Sequence, residues 1–274
     1  MSSVPKASPV ESVNKRKWVH LTIVGVSLTI FGLWLGLTPG GLLGKADAIG
    51  YSVCHRIDLR SFHLGDRPLP LCARCTGMYL GAILALTFHA VRKPRAGRYP
   101  PRPLMIIFAL FGLIWAIDGI NSVLYLFPSA PSLYQPSNTL RLITGTLVGV
   151  ALATLIYPVF NQSMWREWKP VPVLQSVGEL TLLIILAAIL VMAVVSGNVL
   201  ILYPLALLSS VSVMVLLTLV YGTLLVTVIR RDNQADTWGD LILPLGLGFI
   251  AAVLQIALVS AGRFLLTGEG GLYL

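Results

Sequence analysis

Seven times along this chain an apolar run of roughly 18 to 30 residues recurs, at about 18–37, 74–91, 104–126, 139–160, 177–197, 200–229 and 239–266. A helix of about 20 apolar residues is near 30 Å long, the thickness of a bilayer's hydrocarbon core. In that medium every backbone N–H and C=O must be bonded within the chain, so such runs fold as helices. The pattern predicts one all-α domain, a polytopic transmembrane helix bundle of about seven spans. Composition agrees, with 56% of the 274 residues hydrophobic and 11% charged, against about 25% charged in soluble domains. A net charge of +9 fits nucleic-acid binding in a soluble protein. In a membrane protein it reads as loop charge that sets topology, and nucleic acid is set aside as a partner.

Sidedness follows from where Lys and Arg fall. With the N-terminus inside, the inner segments hold thirteen of the 20 basic residues and the outer segments seven. Five of those seven lie in one loop, residues 38–73, or at its edge: Lys45, Arg56, Arg60, Arg67 and Arg74. Trp165, Trp168 and Trp238 fall at inner boundaries, as interface anchors should. Residues 1–17 read as a disordered basic cytoplasmic tail. The run 18–37 is longer than the roughly 7–15 residues of a signal-peptide core and reads as an uncleaved anchor. The sixth run exceeds a simple crossing, so it tilts, breaks near Pro204 or extends beyond the bilayer. The basic run Arg92–Arg102 is most simply a topogenic inner loop, with anionic headgroups as the functional alternative.

All three cysteines and two of the four histidines fall in the stretch CHRIDLRSFHLGDRPLPLCARCTGMYLG. Pro68 and Pro70 disfavour helix at the residues before them, so the second span should begin near Leu71–Ala73. That puts Cys72 and Cys75 in a first helical turn, where the dipole and Arg74 favour thiolate. Cys54, Cys72, Cys75 and one histidine make a Cys3His set suited to tetrahedral zinc. His55 adjoins Cys54 and would need a tight bend to join it; His63 reaches more freely. The alternative is redox chemistry, a thiol–disulfide oxidoreductase using Cys72 and Cys75 with Cys54 as resolving thiol and a quinone as electron acceptor.

Ionisable residues inside spans are functional candidates by default. Asp118 and Asn121 share a face of the third span, and Arg141 enters the fourth within about one turn. These residues, the cysteine stretch, Arg60 and Arg74 all fall on the predicted outer side. The plain reading of Asp118 and Arg141 is a buried ion pair that fixes helix packing. The functional reading is a polar pocket in which arginines hold an anionic small molecule or lipid headgroup. If the protein is an enzyme, zinc would activate water or polarise an oxygen, with Asp118 as base and Arg60, Arg74 and Arg141 in support. A third reading is a transporter or scaffold without chemistry. Gly77-x3-Gly81 and Gly145-x3-Gly149 fit close packing of the second span on the fourth.

Cys54-His55-Arg56, Arg60-Ser61-Phe62, the segment PLCARCTGMYLG from Pro70, Asp118-Gly119 and LRLITG from Leu140 together resemble a prokaryotic family of uncharacterised membrane proteins. The resemblance runs from about residue 50 to 150, and Cys-Ala-Arg-Cys-Thr-Gly is its most specific part. It implies no established activity. It does imply a signature domain at 18–160 with further spans at 161–274, a prokaryotic plasma (inner) membrane, outside which the Lys and Arg distribution puts the cysteine loop, and His55 rather than His63 as the ligand. The sequence fixes no oligomeric state.

Overall fold

The computed structural model describes residues 9–38, 40–127 and 131–268. Eight α-helices follow in order: α1 (Pro9–Leu37), α2 (Gly41–Val53), α3 (Ala73–Arg92), α4 (Arg102–Leu124), α5 (Asn138–Met164), α6 (Val177–Val195), α7 (Val199–Val228) and α8 (Ile242–Thr267). Strands β1 (His63–Leu64) and β2 (Arg67–Pro68) form a small antiparallel hairpin, and β3 (Ala96–Arg98) pairs in parallel with β4 (Lys169–Pro172). The architecture is the expected all-α polytopic bundle.

Among the described residues, six helices are long and apolar enough to cross a membrane by length and composition: α1, α4, α5, α6, α7 and α8 with its preceding turn. The seventh expected span, α3, falls outside that set. It carries Arg74, Thr76 and His89, and half its residues are buried against other helices. A helix sheathed in protein has less need of apolar side chains than one bathed in lipid. Helix α7 runs unbroken through Pro204. That proline lies near the helix start and frees only the Leu200 carbonyl, so of the three alternatives a break is set aside.

Two further expectations are corrected. The N-terminal tail is helical from Pro9, so disorder does not extend through residue 17; residues 1–8 lie outside the described residues. The 38–73 connection is not a plain loop but contains α2, a 3-10 turn at Asp58–Arg60 and the β1–β2 hairpin. Helix α2 is about 20 Å long at 1.5 Å per residue, too short to cross. It buries Ala46, Asp47, Ile49 and Gly50 instead.

The centre of the bundle is α3 against α5. A Cβ added to Gly77 would strike the Leu142 carbonyl, and one on Gly81 that of Thr146. On the facing helix, a Cβ on Gly145 would strike the Arg74 carbonyl, and one on Gly149 that of Met78. Both glycine pairs therefore let backbone meet backbone, as their spacing predicted. At the far end of α3 the basic loop is folded rather than loose. Asn161 Nδ2 donates to the Ala96 carbonyl at 2.9 Å, and Lys93 pairs with Glu179 at 2.7 Å.

Candidate functional site at the cysteine end

Helix α3 begins where the two prolines release the chain. Cys72 is its N-cap in an extended conformation (φ −63°, ψ 161°), Arg74 and Cys75 follow in the first turn, and Thr76 N–H closes onto the Cys72 carbonyl at 2.8 Å. Cys54 is the C-cap of α2. The meeting of these two helix ends gathers ligand atoms of Cys54, His55 and Cys72 within 4.8 Å of one another. The Cys75 thiol is in hydrogen-bonding reach of both other thiols. All three cysteines are free, with Cys54 and Cys72 buried.

Cys54 is the acceptor of the group. The N–H of Cys72 donates to its sulfur at 3.3 Å and that of Arg56 at 3.5 Å. Hydrogen bonds from the Cys72 and Cys75 thiols, with these two amides, outweigh burial and hold the Cys54 thiol well below its usual range. His55 is pushed downward by partial desolvation, reinforced by Arg60, Arg74 and Arg141 against the pull of Cys54. A neutral imidazole beside a thiolate is the protonation state a metal requires. His63 is elsewhere, its Nε2 3.0 Å from the exposed Asp58 carboxylate.

Beside the thiols lies a cluster of three arginines and one acid. Asp118 is 1% exposed and is saturated with donors. Arg74 grips it through Nε at 3.1 Å and through a second, closer contact from Nη2, while Tyr134 donates to Oδ1 at 2.9 Å. The expected Asp118–Arg141 pair is therefore replaced by Asp118–Arg74. Arg141 instead donates to Asn138 Oδ1 at 2.9 Å and approaches Ser122 Oγ at 3.4 Å. Arg60, 8% exposed, donates to the Ser122 carbonyl at 2.8 Å. Three guanidiniums thus converge on Asp118 and Ser122. An acid held by Arg74, Tyr134 and Thr144 is poorly placed to serve as a general base, so Asp118 reads as an organiser of the arginines.

A second acid, Asp47 of α2, is fully buried between Arg56 at 2.8 Å and a closer contact with Arg67. Burial pushes its carboxyl upward, and the two guanidiniums pull it back without cancelling the shift. Sequence reasoning missed this pair, and also Ser122 and Tyr134, which the Asp118 helix and the following loop supply. Arg263 belongs with them. That residue, on α8, donates from Nη1 to the carbonyls of Tyr51 (2.8 Å) and Cys54 (2.7 Å) and from Nη2 to that of His55 (3.2 Å). Its guanidinium also lies 4.3 Å over the Tyr51 ring. The available signal was an arginine inside an apolar helix.

Fold and site together define a multi-pass α-helical membrane protein with a thiol and guanidinium cluster at one end. Residues 54–155 match the family described as "Predicted membrane protein (DUF2085)", so the resemblance seen in the motifs holds for this segment. The chain is similar to an uncharacterised protein of Methanocaldococcus jannaschii, 27% identical over 162 residues, covering 55% of this chain and 98% of that protein. An uncharacterised protein of Methanothermobacter thermautotrophicus is 29% identical over 103 residues, covering 38% of this chain and 83% of its own length. No solved structure matches.

Proposed function

We propose that this membrane protein holds a zinc ion on Cys54, His55, Cys72 and Cys75, and that the adjoining Arg60, Arg74 and Arg141 bind an anionic group, phosphate or carboxylate, of a small molecule or lipid headgroup. The observation that carries the reading is the convergence of three ligand atoms within 4.8 Å, with a third thiol in contact. The donor set fits the metal: Cys54 and Cys72 are buried, Cys75 is half-buried and His55 lies at the exposed side, and amide N–H groups point at the Cys54 sulfur, as hydrogen-bond donors do around bound thiolates. Four protein ligands leave no open position, so the metal is structural and fixes the turn that carries Arg56 and Arg60. Bound there, zinc supplies a cross-link between the end of α2 and the start of α3.

Charge supports the second half of the reading. The three arginines carry three positive charges against the one negative charge of Asp118. A doubly charged phosphate group matches that excess. The Lys and Arg distribution supports an N-terminus in the cytoplasm and the cysteine end outside a prokaryotic inner membrane.

Metal analysis and thiol titration on the detergent-purified protein test the first half. About one zinc per chain, absent from Cys72→Ser, with thiols that react only after chelation, is the expected result. Absence of metal with two thiols oxidised and one free overturns it and favours the second reading, a thiol–disulfide relay to quinone. The three thiols in mutual contact are the observation behind that alternative. The arginine half predicts that inorganic phosphate raises the melting temperature of the wild type and not of Arg60→Gln/Arg141→Gln. Equal response of both proteins rules it out.

A further inference from the structure

Away from the cysteines, α1, α2, α7 and α8 enclose a cavity of about 710 Å³, within the roughly 300–1,000 Å³ span of small-molecule sites. Phe31, Trp34, Met214, Phe249, Val253 and Ile256 form its walls. Its shape can be read from the helices. On α7 the lining extends from Leu207 to Leu219, and on α8 from Leu245 to Ser260. At 1.5 Å per residue these stretches are about 18 Å and 22 Å long. The cavity is thus a slot running along the helix axes for more than half of a hydrocarbon core about 30 Å thick.

Thr38, Lys45, Ser210 and Ser260 gather towards one end of the slot, the end that carries the cysteines, and Thr218 lies near the other. Lys45 lines it there, half-buried, its ammonium donating to the Thr38 carbonyl at 3.0 Å. Ser260 lies at the same end, and its hydroxyl is shielded from solvent with no hydrogen-bond partner among the described residues. A long apolar slot with a cation and a spare hydroxyl at one end is complementary to an amphiphile with one extended chain and an anionic head. The wall towards the bilayer is α1, whose span from Trp18 to Leu37 is 0% buried. A helix held by so little packing is the part of the bundle most easily displaced to admit a chain.

We propose that this slot binds one hydrocarbon chain of an anionic phospholipid of the surrounding bilayer, with the lipid phosphate at Lys45 and Ser260. The site is separate from the arginine cluster and stands independently of the metal reading. Layers of side chains including Ile49 and Ile256 lie between it and the thiols.

Native mass spectrometry of the full chain, purified in mild detergent from vesicles containing phosphatidylglycerol and phosphatidylcholine, tests this. The wild type should retain one phosphatidylglycerol per chain. Ala48→Phe and Ala257→Phe, which fill the slot from different helices, should lower retention by about tenfold or more. Lys45→Gln should keep a lipid but lose the preference for phosphatidylglycerol. Quenching of Trp34 fluorescence by brominated acyl chains, in a background where the other tryptophans are Phe, locates the chain and should weaken in both filled variants. Equal retention by wild type and filled variants overturns the proposal, as does retention of none. An isoprenoid quinone found in place of phospholipid also overturns it, and would instead link the slot to the thiols.

Discussion

Helices α3 and α5 and helices α1 and α8 are built from similar residues and pack in opposite ways. In the apolar window of α5, 67% of residues are buried; in those of α8 and α1 the shares are 17% and 0%. Gly77, Gly81, Gly145 and Gly149 touch opposing backbone, whereas Gly25, Gly32 and Gly36 of α1 have nothing within 4 Å of an added Cβ. Glycine spacing therefore carries meaning only where a partner helix is present to use it. The glycine contacts of the tight pair lie within the segment that matches the membrane-protein family, and the pair presents Arg74 to Asp118 and Arg141 to Ser122. The loose pair leaves a slot. Rigidity is concentrated where charges must be held, because a buried guanidinium that drifts from its acceptor costs several kcal/mol.

Substitutions can break this contrast. The largest effect belongs to Gly145→Leu, which drives a side chain into the Arg74 carbonyl; we expect no folded protein by size-exclusion chromatography. Gly32→Leu on α1 should elute and melt like the wild type. Loss of stability in the α1 variant, or tolerance at Gly145, would erase the distinction. Next comes Asp118→Asn, which removes the acid gripping Arg74 and leaves three guanidiniums facing one another; a loss of about 3 kcal/mol is expected in a denaturation titration. Because Tyr134 can still bond an amide oxygen, the deficit should shrink as salt or phosphate is added.

Smaller effects sharpen the picture. Arg263→Gln removes three bonds to backbone carbonyls, and should lower stability by about 1–2 kcal/mol. If the metal reading is right, it should also speed zinc release to a chelator while leaving the stoichiometry unchanged. Least costly is Glu179→Gln at the opposite end. Its ion pair with Lys93 is only partly buried, and about 0.5–1 kcal/mol is expected by thermal melting in low salt. A larger loss there would mean that the β3–β4 end is as demanding as the cysteine end.

Much of the fold was legible in the sequence. The span positions, the start of α3 after Pro70 and the neighbouring of α3 and α5 follow from apolar run length, proline sterics and small-residue spacing. Helix α2 was hidden because it is too short to cross a bilayer and sits between Pro39 and Pro68. The membership of the arginine cluster was legible, but its pairing was not. Whether Asp118 meets Arg74 or Arg141 depends on helix rotation and tilt, which packing decides. The grip of Arg263 on Cys54 joins residues 209 positions apart, and no local pattern announces such a contact.

That grip has a consequence for how the site tolerates change. Arg263 holds the carbonyls of residues 51, 54 and 55 rather than their side chains, and every amino acid presents the same carbonyl. The hold is therefore blind to what occupies those positions, save for the ring of Tyr51. Cys54 and His55 can be exchanged, in the laboratory or over descent, while α8 keeps its hand on the end of α2. The chemistry of the turn can change without its being set adrift.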